Sequence, residues 1–208
     1  MPEWVKANNT AVITGAASGI GLAAAQHFAN HGMNVVLADR DESLLESAKQ
    51  AIASDTVASL VTDVSDMDAV QTLQQFAQAQ FGDVHCLMNN AGASLRQGKP
   101  WEDLDKFKQQ IQINFWGVVH GCHAFIPDML AHQNPCAVIN TGSKQGITKP
   151  PGNHAYNLSK TAVIAYTESI AHGLRDIEDC QLSAHLLIPG FTYTGMIIFI
   201  KLNPISNR

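Results

Sequence analysis

Tyr156 is followed four residues later by Lys160, and Ser143 stands thirteen residues upstream. On a helix, positions four apart share a face and lie about one turn apart, roughly 6 Å along the axis. An ammonium held there favours phenolate over phenol, so the spacing predicts a tyrosine pKa moved from about 10 toward neutrality. A tyrosine tuned in this way passes a proton to or from a carbonyl or alcohol oxygen at ordinary pH. Ser143 can give the same oxygen a second hydrogen bond. A surface tyrosine and lysine on an amphipathic helix share this spacing, so the pair needs support from elsewhere in the chain.

That support comes from the other end. Residues 10–15, Thr-Ala-Val-Ile-Thr-Gly, read as a short apolar strand running into the turn Gly15-Ala-Ala-Ser18-Gly19-Ile20-Gly21. Residues 22–31 have helix-forming composition. Strand, glycine turn and helix together are the context a dinucleotide site requires. Gly15 permits the tight turn, Gly19 lets backbone approach a pyrophosphate, and Gly21 lets the helix pack close to the strand. The spacing is G-x-x-x-G-x-G rather than G-x-G-x-x-G. About twenty residues on, a second buried-type strand over 34–39 ends in Asp39, a carboxylate placed to accept hydrogen bonds from an adenosine ribose.

These elements belong to a regular alternation of apolar strand-like runs and helical patterns, which implies a parallel sheet with crossover helices. Helices are expected over 41–53, from Ser65 by a capping-box-like start, and over 103–132, with strands over 57–63, 84–89, 137–141 and 183–188. In the long helix, Ile111, Phe115, Val118, Cys122, Phe125 and Met129 mark the buried stripe, and Pro127 is expected to bend it near its end. No linker or repeat interrupts residues 1–208, so the expectation is a single α/β domain with strand order 3-2-1-4-5-6. On such a sheet Gly15, Asn90, Ser143 and Pro189 all fall at the carboxyl ends of strands, the edge where ligands bind.

The residues quoted so far resemble the short-chain dehydrogenase/reductase family. Its glycine motif appears as Thr14-Gly15-Ala16-Ala17-Ser18-Gly19-Ile20-Gly21, and its Asn-Asn-Ala-Gly motif as Asn89-Asn90-Ala91-Gly92. Asn114, Ser143, Tyr156 and Lys160 match the catalytic positions, Asp63-Val64 the pair beside the adenine, and Pro189-Gly190 the dipeptide after the sixth strand. The landmarks keep the family's order from about residue 8 to residue 195. The resemblance implies a doubly wound Rossmann-type sheet in three α/β/α layers. It also implies hydride transfer between a nicotinamide cofactor and a secondary alcohol or ketone. Tyr156 is then the general acid/base and Ser143 orients the substrate oxygen. Lys160 holds the nicotinamide ribose and lowers the tyrosine pKa, and Asn114 links Lys160 to solvent through a water. Gly15, Ser18, Gly19, Ile20, Gly21, Asp39, Arg40, Asp63, Val64, Asn90, Ala91, Gly92, Pro189, Gly190 and Thr192 are the implied cofactor contacts, together with Tyr156 and Lys160. Asp39 favours NAD by repelling a 2′-phosphate, whereas Arg40 beside it leaves NADP as the alternative.

Composition narrows the class further. The 208 residues carry a formal net charge of -5, which gives no electrostatic case for nucleic acid or an anionic membrane. No apolar run reaches membrane-spanning length, and a cytoplasmic location is expected. Cys86, Cys122, Cys136 and Cys180 are widely spaced and read as reduced thiols. Among the nine histidines, His120 and His123 are close in sequence but have no nearby carboxylate, so no metal is expected.

By position, the residues expected to touch substrate lie in 93–101, in 144–155 and after Pro189. Lys144, Gln145 and His154 favour no chemotype. After Met196 the chain departs from the family: a short apolar run, 196–202, precedes Arg208, and the usual further helix and seventh strand are missing. The resemblance implies a homodimer through the helices of Asn114 and Tyr156, while a tetramer depends on that missing part. A non-catalytic dinucleotide-binding protein is the alternative reading, and a nucleotide-sugar epimerase or dehydratase a more distant one.

Overall fold

Strands form where β-branched and apolar residues run unbroken, and their pairing sets the whole architecture. The computed structural model describes residues 1–95, 98–190 and 192. Strands β1 (Thr10–Thr14), β2 (Asn34–Asp39), β3 (Val57–Val61), β4 (Val84–Asn89), β5 (Cys136–Thr141) and β6 (Leu182–Leu187) form one sheet in the order β3-β2-β1-β4-β5-β6. Every pairing is parallel. Parallel neighbours require crossovers, which the helices supply on both faces. Val12, Leu87 and Val138 face a cluster with Leu73, Phe125 and Met129 on one side. Ile13, Leu37 and Met88 face Phe28 and Leu45 on the other. Side chains alternating along β1 therefore serve two cores, which is why that strand reads as a continuous apolar run. The apolar run over 196–202 lies outside the described residues.

The helices are α1 (Gly19–Asn30), α2 (Glu42–Ile52), α3 (Met67–Phe81), α4 (Leu104–Ile111), α5 (Gly117–Ala131), α6 (Lys144–Thr148) and α7 (His154–Arg175). Several expectations need correction. Helix α1 begins at Gly19, so Gly19 and Gly21 lie inside its first turn. Helix α3 is capped by Asp66 rather than Ser65, because Asp63 holds both the amide and the hydroxyl of Ser65 at 2.9 and 2.7 Å. Residues 144–155 are not all loop, since Ser143 caps α6 by accepting from the Gln145 amide at 3.2 Å.

The largest difference lies in the long helix. Between α4 and α5, Gln112–Trp116 winds as a π-helix. The wider turn changes which residues face inward. Gln110 and Asn114 are fully buried there, while Ile111 and Phe115 are only half-buried; Val118, Cys122, Phe125 and Met129 keep the inner face expected of them. Pro127 sits inside α5, near its end. Its missing N–H costs the last turn one hydrogen bond.

Candidate active site

The strand order reverses between β1 and β4, and at that point the carboxyl ends of the two strands are stitched together. Thr14 Oγ1 accepts from the amides of Asn90 and Ala91 at 3.0 and 3.1 Å. Asn90 Nδ2 returns hydrogen bonds to the carbonyls of Thr14 and Gly15, each at 3.2 Å. Gly15 has φ +65°, and a Cβ there would stand 2.7 Å from Ala91 Cα. A Cβ at Gly21 would stand 2.2 Å from the Gly15 carbonyl oxygen. The turn thus closes only with glycine at both positions. Ser18 is the N-cap of α1 but its side chain makes no capping bond. The first amides of α1, from Gly19 and Ile20 onward, are left without a side-chain partner at their own cap.

Asp39 bridges the end of β2 to this turn. Its Oδ2 accepts from the Ala17 amide and its Oδ1 from the Asp41 amide, both at 3.2 Å. Arg40 is exposed next to it. The Ser65 hydroxyl, with the Ser65 amide and the charge of Arg40, holds the Asp63 carboxyl below its usual range against the effect of burial. Val64 is buried, lies against Gly117, and its carbonyl is bonded to His120 Nδ1 at 2.9 Å. His120 therefore ties a loop to a helix, and among the described residues no group of three His, Cys, Asp or Glu is placed to hold a metal.

On the other side of the switch point stand the four residues with acid/base potential. Ser143 follows β5 by two positions, and Tyr156 lies in the first turn of α7. Burial pushes the Tyr156 phenol above its ordinary value, and a hydrogen bond with the Ser143 side chain pulls it partly back. Lys160 is only 3% exposed. Its Nζ lies 5.9 Å from the centre of the Tyr156 ring and donates to the Thr141 carbonyl at 2.6 Å. Burial pushes this amine down to about 8. The expected fall of the tyrosine pKa is thus reversed in the protein by itself. Helical spacing places the ammonium one turn away, as predicted, but it reaches past the ring to a strand carbonyl, and desolvation sets the direction of the phenol's shift.

Asn114 is fully buried in the π-helical turn. Its Oδ1 accepts from the Ala93 amide at 2.8 Å; its Nδ2 donates to the Ala93 carbonyl at 3.0 Å and to Ser159 Oγ at 3.2 Å. A Cβ at Gly92 would meet Asn114 Oδ1 at 3.4 Å and Lys160 Nζ at 3.7 Å, so the two side chains converge on the Asn-Asn-Ala-Gly turn. Pro189 is brought beside Ser143 through its carbonyl, which accepts from the Lys144 amide at 3.2 Å. Gly190 and Thr192 are exposed and bond one another, Thr192 Oγ1 to the Gly190 carbonyl at 3.4 Å, and among the described residues they are not brought against the rest.

The sequence model described as short chain dehydrogenase matches residues 9–203. The chain belongs to the short-chain dehydrogenase family. A short chain dehydrogenase/reductase from Burkholderia phymatum, solved in complex with NAD, superposes with a TM-score of 0.91 at 36% identity, covering 100% of this chain and 74% of that one. A 3-ketoacyl-(acyl-carrier-protein) reductase from Brucella melitensis, complexed with NADH, gives 0.85 at 27% identity over 92% of this chain and 79% of that one. The 1-deoxy-11-beta-hydroxypentalenate dehydrogenase of Streptomyces arenae is 36% identical over 192 residues, 90% of this chain and 68% of that protein.

Within this short-chain dehydrogenase, four supporting residues were not among the expected site residues. Thr14 was visible as the last strand residue before the glycine turn, where a hydroxyl among apolar neighbours is a signal. Ser159 and Thr141 carry no such mark, since Ser159 is one of several small helix residues and Thr141 meets Lys160 through its backbone carbonyl. Gln110 has no signal in the sequence beyond a polar residue on a helix, yet it lies one turn before Asn114 and is equally buried.

Proposed function

We propose that the chain is an NAD-dependent oxidoreductase interconverting a secondary alcohol and a ketone, with Tyr156 as general acid/base. The observation that carries this reading is the buried amine of Lys160, one helical turn from Tyr156 with its Nζ 5.9 Å from the centre of the phenol ring. An ionisable amine at such depth is costly, and perturbed, buried ionisable groups of this kind cluster at functional sites.

The residues fit a dinucleotide. The uncapped start of α1 offers its amides to a pyrophosphate, the glycine pair leaves room for backbone to approach it, and Asp39 stands where a ribose hydroxyl is read. A bound nicotinamide supplies the hydride acceptor or donor. In the oxidative direction Tyr156, as phenolate, takes the alcohol proton; in the reductive direction it returns a proton to the carbonyl oxygen. Ser143 donates a hydrogen bond to that same oxygen. Lys160, when charged, stabilises the phenolate, and Asn114 keeps the floor of the site in place through Ala93. The carboxylate of Asp39 supports NAD over NADP. Solved relatives complexed with NAD and NADH support the same cofactor. The relatives' names, a dehydrogenase of a hydroxy compound and a reductase of a ketoacyl group, support an alcohol or ketone substrate.

Exposed Trp116 and Leu158, on the π-helical turn and on α7, are apolar surface of the kind a homodimer through these helices would bury. The decisive experiment for the function is Tyr156→Phe. NADH affinity, read by fluorescence titration, should be retained while turnover of a screened alcohol or ketone falls at least about a hundredfold. Near-normal turnover removes Tyr156 from the chemistry.

A further inference from the structure

Gln110 is 0% exposed, a rare place for a long polar side chain, and both ends of its amide are bound to one loop. Its Nε2 donates to the Ala93 carbonyl and its Oε1 accepts from the Leu95 amide at 2.7 Å. Asn114, one turn on, brackets Ala93 through both its amide and its carbonyl. Together the two side chains give residues 93–95 the hydrogen bonds a neighbouring strand would give. Ser94, between the clamped residues, directs its hydroxyl elsewhere: its Oγ accepts from Asn153 Nδ2 at 3.0 Å. Asn153 is the N-cap of α7, three residues before Tyr156, and makes no capping bond with its side chain. An N-cap asparagine ordinarily bonds the amides of its own helix; here that stabilisation is given up in favour of Ser94. Ser94 is half-buried, and its own proton has no acceptor among the described residues.

We propose that Gln110 is a positioning residue that acts through Ser94, and that Ser94 reads a second oxygen on the substrate. The proposal rests on the oxidoreductase reading above. By clamping Ala93 and Leu95, Gln110 holds the Ser94 hydroxyl beside the helix that carries Tyr156. That hydroxyl donates to a carbonyl, ester or ether oxygen near the reacting carbon. The substrate class is thereby narrowed from alcohols and ketones in general to those bearing a neighbouring oxygen acceptor.

The test compares NADH-dependent reduction of straight-chain ketones and of oxo esters of matched length, hexanone and ethyl acetoacetate among them. It uses the unsubstituted chain, Gln110→Met, Ser94→Ala and the double variant. Each single substitution should lower the kcat/KM preference for the oxo ester over the ketone by about tenfold, mainly through KM, the usual scale for one lost hydrogen bond to a substrate. The double variant should be no worse than the worse single one, because Gln110 acts through Ser94. A loss equal for both substrates, or multiplying in the double variant, assigns Gln110 a merely structural role and overturns the proposal. Ser94→Ala touches no buried clamp and decides the matter should Gln110→Met fail to fold. Turnover of plain ketones with no preference at stake overturns this proposal alone. Absence of all reduction by the unsubstituted chain overturns the oxidoreductase reading together with it.

Discussion

Replacing Lys160 with methionine separates what the amine does for the site from what it costs the fold. Lys160 is 3% exposed, and burial lowers its pKa from 10.5 to about 8. Between those two values the unfolded chain carries the proton and the folded chain does not, so unfolding takes up a proton and stability rises with pH. Below about 8 both states are charged and the penalty is constant, about 3 kcal/mol for the gap between 10.5 and 8. From pH 7 to pH 9.5 the lysine should therefore recover about 2 kcal/mol of stability, worth about 4–8 °C in Tm for a chain of this size. Methionine titrates nothing, and the loss of the bond to the Thr141 carbonyl shifts its stability equally at every pH. Other groups act in the opposite sense: burial pushes the Cys122 and Cys136 thiols up to about 12 and the Cys86 thiol higher still, so alkaline conditions weaken the fold through them. Those contributions are common to both proteins and cancel. Scanning calorimetry in matched buffers without cofactor should show the Tm of the unsubstituted chain climbing relative to Lys160→Met across this range. A difference that stays flat, or that shrinks with pH, means the amine is not desolvated, and the argument for a functional buried charge goes with it.

Three further outcomes follow from the geometry. Asp39→Ala with Arg40 retained should move cofactor preference from NADH toward NADPH in paired titrations; an unsubstituted chain that already prefers NADPH would show the Asp39 assignment to be mistaken. Gly21→Ala places a Cβ 2.2 Å from the Gly15 carbonyl oxygen and should cost at least about 1–3 kcal/mol in denaturant unfolding, whereas Gly173→Ala on the open face of α7 should stabilise by about 0.5–1 kcal/mol. His85 stacks on His132 with ring centres 5.4 Å apart and accepts from the Thr10 amide at 3.3 Å. Burial, then the neighbouring His132, lowers the His85 pKa from 6.5 against the pull of Asp83. A depressed histidine stabilises the fold above its unfolded pKa, so stability should fall as pH drops below about 6.5, and His85→Asn should flatten that decline in acid melts.

The order of the sheet was readable because each strand is a short unbroken apolar run separated from the next by a helical period, and parallel pairing then admits few arrangements. Position at the sheet edge followed directly: Gly15, Asn90, Ser143 and Pro189 fall just past the carboxyl ends of β1, β4, β5 and β6. What was hidden is of one kind. Gln110 and Asn114 displace Ile111 and Phe115 from the inner face through a π-helical turn, and hydropathy ranks a glutamine as surface whether or not two backbone groups await it. His85 and His132 meet across 47 positions of chain through partners that are backbone atoms.

The direction of the tyrosine pKa belongs to the same class. Spacing specifies the distance between phenol and ammonium, but burial decides which species is favoured, and burial is set by residues remote in sequence. With the phenol raised and the amine lowered, burial disfavours the charged form of each group in the protein alone. An oxidised nicotinamide carries a positive charge that favours the phenolate, so cofactor binding and tyrosine ionisation are linked. If so, NAD should bind more tightly as pH rises through the tyrosine titration while NADH, lacking that charge, shows a weaker trend. Equal pH dependence for the two cofactors would mean that the ring charge never reaches the phenol.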